Sequence, residues 1–246
     1  MPEQLWFTAL LNKVLGGPVT ALLEKLPAKF HPVNPTAPIS NAVAMEFLVI
    51  VLLVLFFLWV RSRLSVDKPG ASQHLMEALN EFISKQGEEI IGHGGARFVP
   101  YLTSVFIFIL FANLIGLIPT LESPTSFAYV PLGLAVVTFI YYNVHGVREQ
   151  GVLGYLKHFM GPVWWLAWLL FPIEIISHFA RIMSLTIRLY ANIFAGDMVT
   201  MTFFILIPIG VPVIFLLLHV AVSFLQAYIF TLLTTIYLQG AVAHEH

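Results

Sequence analysis

The amino-acid sequence predicts an all-α, polytopic membrane protein with about five membrane-crossing helices plus one amphipathic surface helix, the last two crossings long and strongly tilted. Three observations lead there. Of 246 residues, 59% are hydrophobic and only 10% are charged, whereas an ordinary soluble domain carries roughly 25% charge. Apolar runs of membrane-crossing length recur along the chain, and one segment between them mixes apolar and charged residues at helical spacing. The formal net charge of −1 offers no basic surface for nucleic acid. With no cysteine, disulfides, thiolate metal sites and a cysteine nucleophile are excluded. The opening MPEQLWFTALLNKVLGG carries Glu3 instead of a basic cluster and only a short apolar run, so it is not read as a cleaved signal peptide.

A helix crossing the hydrocarbon needs about 20 mostly apolar residues. Residues 1–42 read as an N-terminal tail, and 43–61 as the first crossing, where the run Val43 to Val60 is closed by Arg61 and Arg63. Residues 72–92 read as the amphipathic helix. There Leu75, Met76, Leu79, Phe82, Ile83, Ile90 and Ile91 recur at three- and four-residue steps, while Glu77, Asn80, Glu81, Lys85, Glu88 and Glu89 fill the other side. Such a helix lies on the inner membrane surface, packs against a partner or simply connects two spans; the sequence leaves these open. Residues 100–142 form a predicted helical hairpin, Pro100 to Pro119 and Phe127 to Tyr142, followed by a loop around Val144 to Met160. Residues 162–240 hold two longer tracts, Pro162 to Leu206 and Val211 to Leu238, read as a long tilted pair. No internal repeat stands out, which gives an inverted-repeat transporter no support.

Basic residues collect in cytoplasmic loops. Arg61, Arg63, Lys68, Lys85 and Arg97 lie between the first two spans, and Arg148 and Lys157 follow the third, whereas Glu122 is the only charge between Thr120 and Ser126. The N-terminal tail is therefore expected outside, Glu122 outside and the C-terminus in the cytoplasm. Lys13, Lys25 and Lys29 on the tail weigh mildly against that orientation.

Pro162 to Leu206 is about 45 residues, roughly 65 Å of helix against roughly 30 Å of hydrocarbon. Either two spans are joined by a tight turn, or one helix is strongly tilted and bent at Pro172. A turn would show Gly, Pro or Asn near mid-tract, and Ile173 to Tyr190 has none, so a single tilted helix is expected. On such a helix Glu174, His178, Arg181, Ser184, Arg188 and Asn192 fall three or four residues apart on one stripe. Asp197, nine residues beyond Arg188, lies about half a turn away and faces another neighbour. In the last tract His219, Ser223, Gln226 and Tyr237 share a face. Facing polar stripes can enclose a hydrated path, or they can simply hold two helices together by hydrogen bonds.

Arg188 is harder to dismiss. An arginine near mid-membrane costs at least about 2.5 to 3.5 kcal/mol on insertion scales and cannot escape by deprotonating. A structural salt bridge to Asp197 or Glu174 is the plain alternative, and the spacing disfavours both. Arg181, nearer the cytoplasmic end, can snorkel to the interface.

The pattern S-L-x-x-R-L-x-A-N-x-x-A-G-D at Ser184 to Asp197, followed by H-V-A-V-S-F-L-Q-A-Y-I-F at His219 to Phe230, closely resembles subunit a of the rotary F-type ATP synthase. N-L-I-G-L-I-P at Asn113 to Pro119 resembles the same family, and the likeness covers about Val43 to Leu238. The resemblance implies a stator subunit of the ATP synthase proton channel, not an enzyme by itself, that couples proton translocation to rotation of a c-subunit ring. It implies that Arg188 is the essential cation facing the ring carboxylate, with Asn192 and Gln226 as polar neighbours. Asp197 and His219 match the outer proton path, Glu174 matches a further family carboxylate, and His178 and Ser223 are expected to line the half-channels. Relatives often carry Glu where this chain has Asp197, one methylene shorter. The implied partners are the c-ring, b-type peripheral stalk subunits, the remainder of the complex and membrane lipid, in a bacterial inner membrane. No cofactor or metal is implied, and the proton is the expected ion.

A stand-alone ion channel or secondary transporter is the main competing reading. A membrane-embedded hydrolase has little support, because H-E-x-x-H and G-x-S-x-G are absent. His74, His93, His145 and His158 fall in or near inner loops and read as surface residues, and the His244-Glu245-His246 end reads as a solvated terminus.

Overall fold

The computed structural model describes residues 4–25, 27, 37–66, 68–92, 94–118, 120–160, 165, 167–207 and 210–242. Its helices are α1 (Trp6–Leu23), α2 (Asn41–Ser62), α3 (Ala71–Ile91), α4 (Val99–Leu114), α5 (Tyr129–Met160), α6 (Ala167–Leu206) and α7 (Val211–Val242), with short 3-10 turns at Gly95–Phe98, Ile115–Leu117 and Pro124–Ser126. His93 and the His244-Glu245-His246 end lie outside the described residues, as does the side chain of His158.

Among the described residues, six helices are long and apolar enough to cross a membrane: the expected five, and α1 in the stretch read as a tail. Its mean hydropathy, 1.2, is the lowest of the six. The Leu5 amide donates to Asn41 Oδ1 at 3.4 Å, and Asn12 exchanges two hydrogen bonds with the Ile39 backbone at 3.0 and 3.1 Å. Leu5 and Asn12 are about 10 Å apart along a helix, yet both meet the same few residues entering α2. The Trp6 indole also reaches Thr120. α1 therefore crosses the end of the bundle instead of running beside α2.

α2 starts at Ser40, whose hydroxyl accepts from the Val43 amide at 3.4 Å. It buries Val49 against Ala112 and Ile115 and leaves Phe47, Ile50, Val54, Leu55 and Leu58 exposed, as a lipid-facing helix should. α3 resolves the question left open for the amphipathic segment: it docks on the bundle. Ile83 is buried with the α4 and α7 cores, Phe82 packs on Tyr228 at 5.7 Å, and the Gln86 amide donates to the Tyr228 hydroxyl at 2.7 Å. A Cβ on Gly95 would lie 2.4 Å from the Gly87 carbonyl oxygen, so only glycine lets the chain turn so tightly under α3.

The main core joins Leu102, Phe106 and Ile109 of α4, Ala135 and Tyr142 of α5, Leu185, Leu189 and Ile193 of α6, and Ala227, Phe230 and Leu238 of α7. Within each set the residues lie three, four, seven or eight apart, so every helix has one buried seam. The loop expected at Val144–Met160 is instead a continuation of α5, broken at Gly151, where φ is 73°. Its polar residues resembled a loop because they leave the apolar zone, but they are tied down: Arg97 pairs with Glu149, Tyr155 donates to Asn143 Oδ1 at 2.7 Å, and Gln150 donates to the Ala241 carbonyl at 3.1 Å.

α6 is one unbroken 40-residue helix with Pro172 in its first turns. At about 1.5 Å per residue it is roughly 60 Å long, twice the hydrocarbon thickness of about 30 Å. Gly210, at φ 85°, takes the left-handed conformation just before α7.

Candidate functional site

The polar residues of the α6–α7 pair fall into two clusters on either side of Arg188. In the first, toward Glu122, His219 Nδ1 stands 3.6 Å from Asp197 Oδ1. His219, Ser223 and Gln226 are all buried on α7, as the shared-face reading expects. Asn113, a lone amide near the end of the apolar α4, is fully buried beside them. It accepts from the Thr125 hydroxyl at 2.6 Å and donates to the Ser223 carbonyl at 3.5 Å. Ser123 donates to the Ala112 carbonyl at 2.8 Å and lies 2.8 Å from Thr125. His219 Nε2 and Ser223 Oγ are buried without a hydrogen-bond partner among the described residues. Orphaned buried polar atoms are costly unless water reaches them. A cavity of about 180 Å³ beside His219 is lined by Asn192, Gly196, Thr200 and His219 among apolar residues such as Val199, Phe215 and Val222. That is room for several waters at about 30 Å³ each.

The second cluster lies toward Arg97. Glu174 Oε1 is 3.3 Å from Arg181 Nη2 and 3.6 Å from His178 Nε2. His178 Nδ1 lies 2.8 Å from the Tyr142 hydroxyl of α5. The Arg181 guanidinium sits 5.3 Å above the Tyr237 ring. A stacked cation on an aromatic face keeps its charge at lower desolvation cost than a bare one.

Arg188 stands between the clusters. It donates to Ser184 Oγ at 3.2 Å. Both carboxylates proposed as its salt-bridge partners are engaged elsewhere, Asp197 with His219 and Glu174 with Arg181 and His178. Along α6, Asp197 is about 14 Å to one side of Arg188 and His178 about 15 Å to the other. Ser184, Ala191, Asn192 and Ala195 around the arginine are exposed, and Arg188 is half buried. The predicted stripe is thus split: His178 turns inward at 7% exposure, whereas Ser184 and Asn192 face outward.

Three groups carry no role in the sequence by itself. Tyr142 there only closes a span. Asn113 was noted only in a motif, although a single amide in an apolar run is itself a signal. Glu122, read only for orientation, lies near enough for its charge to act on Asp197. Among the described residues no group of three or more His, Asp or Glu side chains could hold a metal ion. Chemically, each cluster combines an imidazole and a carboxylate, groups that can exchange protons, with hydroxyls or amides as hydrogen-bond partners, and a permanent cation stands between the clusters.

A family model described as ATP synthase A chain matches residues 43–239. ATP synthase subunit a of Koribacter versatilis is 60% identical over 248 residues, covering 100% of both chains. The subunit of the same name from Solibacter usitatus is 52% identical over 209 residues, covering 85% of this chain and 90% of its own. That of Sulfurimonas denitrificans is 46% identical over 178 residues, 72% of this chain and 80% of its own. With the motifs, the membrane-length helices and these likenesses in agreement, the chain belongs to the ATP synthase subunit a family.

Proposed function

We propose that this chain is the stator subunit of the ATP synthase proton channel, providing two offset half-channels whose only connection is a carboxylate on the rotating c-ring. The Asp197–His219–Asn113 cluster with its cavity forms the outer half-channel, and the Glu174–His178–Arg181 cluster forms the inner one. The observation that carries this reading is Arg188, lodged between two polar clusters with neither carboxylate at its side. Small exposed residues around it, Ser184, Ala191 and Ala195, support close approach of a partner helix.

A ring carboxylate buried in lipid can have its pKa raised to about 8 or 9 and so travels neutral. At about 4 Å from the Arg188 guanidinium and an effective dielectric near 20, its anion gains roughly 4 kcal/mol, or about 3 pKa units. The proton then leaves into one half-channel. As the ring turns, the carboxylate meets the other half-channel and is recharged, and the membrane potential, worth about 2.3 kcal/mol per charge per 100 mV, biases the direction. The fixed cation also repels protons and so blocks a direct leak. Lysine would serve poorly there, because a buried ammonium can lose its proton and relay it.

In this reading the chain sits in a bacterial inner membrane, with α1 and Glu122 outside and the C-terminus in the cytoplasm. It carries out no catalysis alone and works beside the c-ring and b-type stalk subunits. The test is Arg188→Ala in the assembled complex, assayed by ATP-driven proton pumping in inverted membrane vesicles. Pumping is expected to vanish; full pumping by that variant would overturn the assignment.

A further inference from the structure

Resting on the inner half-channel proposed above, we infer that Tyr142 and His178 act together as positioning residues for Glu174, an α5-to-α6 brace that keeps this carboxylate on the proton path. Tyr142 is 1% exposed and His178 7%, and both lie within the membrane-length portions of their helices. Burying a histidine and a phenol in contact is costly unless each satisfies the other. Their contact is specific: the hydroxyl is 2.8 Å from Nδ1, and the rings stack at 5.8 Å with an interplanar angle of 19°. The edge of Phe139 packs against both rings, 5.7 Å from His178 and 5.5 Å from Tyr142. The hydroxyl contact and the two ring contacts together restrict how the imidazole can turn.

The orientation has a chemical consequence. With the phenol donating to Nδ1, the neutral ring carries its proton on Nε2, 3.6 Å from Glu174 Oε1 and just beyond hydrogen-bond length. Arg181 donates to the same oxygen at 3.3 Å. Glu174 thus has a permanent cation hydrogen-bonded to it and an imidazole N–H one small shift away. It can take up and release a proton without swinging into lipid or collapsing entirely onto Arg181. Beside His178 stand Tyr142 and Phe139 of α5 and Glu174 of α6, and Arg181, which shares Glu174 Oε1 with it, stacks on Tyr237 of α7.

The experiment uses the assembled complex in inverted vesicles, with ATP hydrolysis and the amount of retained subunit measured beside proton pumping. Glutamine keeps an N–H donor near the place of Nε2 but cannot titrate. His178→Gln is therefore expected to pump within about threefold of the parent, while His178→Leu, which fills the space without a donor, falls by about tenfold, the loss of a single oriented donor. Tyr142→Phe should lower pumping by about threefold in the parent and have no further effect in His178→Gln, because the two residues act as one unit. If His178→Leu is not retained in the complex, Tyr142→Phe, which removes one oxygen, still decides. Parent-level pumping by His178→Leu or Tyr142→Phe would overturn the inference, since the pair would then serve packing alone. So would a His178→Gln variant as inactive as His178→Leu, since the histidine would then work by carrying the proton itself. Arg188→Ala in the same vesicles separates the two claims: if it pumps, the half-channel reading fails, and not merely the brace.

Discussion

Thr125→Val isolates the hydrogen-bond chain that holds Asn113 beside His219. Valine closely matches threonine in shape, so packing is preserved and only the hydroxyl is removed. Two contacts are lost, the 2.6 Å bond to Asn113 Oδ1 and the 2.8 Å contact with Ser123 Oγ. Ser123 keeps its bond to the Ala112 carbonyl, but the acceptor of the fully buried Asn113 loses its described partner. Leaving a buried acceptor unsatisfied costs about 1 to 3 kcal/mol. Taking about 2 kcal/mol, and about 3 °C per kcal/mol for a chain of this size, the melting midpoint should fall by roughly 6 °C. The measurement is heat-step release of the subunit from membranes carrying the assembled complex, with Thr125→Ser as the control that restores the hydroxyl. A midpoint within about 1 °C of the parent for Thr125→Val would refute the reasoning, because the Asn113 acceptor would then have to be satisfied without Thr125.

Three further predictions follow from the same geometry. Asp197→Leu and His219→Leu should each slow pumping by less than about 100-fold, because water in the adjoining cavity relays part of the load and positioned proton-transfer groups contribute about that much; unaltered flux in both would return the pair to a purely structural role. Arg188→Lys should leave less than about a tenth of the pumping rate despite keeping the charge, and parent-like coupling in that variant would remove the argument for a guanidinium. Gly95→Ala should cost about 1 to 3 kcal/mol, since the new Cβ would overlap the Gly87 carbonyl at 2.4 Å; protease protection of the 71–91 helix reports it, and unchanged protection would contradict the close approach.

Much of the architecture was legible from the chain because lipid allows so few solutions. Backbone groups in hydrocarbon must be satisfied within a helix, so apolar length alone marks α2, α4, α5, α6 and α7. The missing Gly, Pro and Asn between Ile173 and Tyr190 mark α6 as continuous. Arg188 declared itself through its insertion cost, and the shared face of His219, Ser223 and Gln226 followed from helical spacing. Where polarity rises, length and composition lose their power. The C-terminal part of α5 reads as a loop because a helix outside the hydrocarbon needs no apolar run, and α1 reads as a tail because its hydropathy is the weakest of the membrane-length helices.

Which polar groups meet was decided only by tertiary packing. Spacing puts Glu174, His178, Arg181 and Arg188 on one stripe, but it cannot say that His178 turns into the bundle to meet Tyr142, 36 residues earlier. Nor can it bring Asn113 to Ser223 across 110 residues. Such contacts depend on how one helix is rotated and tilted against another, a quantity set by the packing of Leu185, Leu189 and Ile193 against the α4 and α7 seams. The amino-acid sequence by itself showed that a costly cation lies in an apolar helix among polar residues; the tertiary structure decided that the neighbouring carboxylates meet His219 and Arg181, leaving Arg188 half buried and bonded to Ser184.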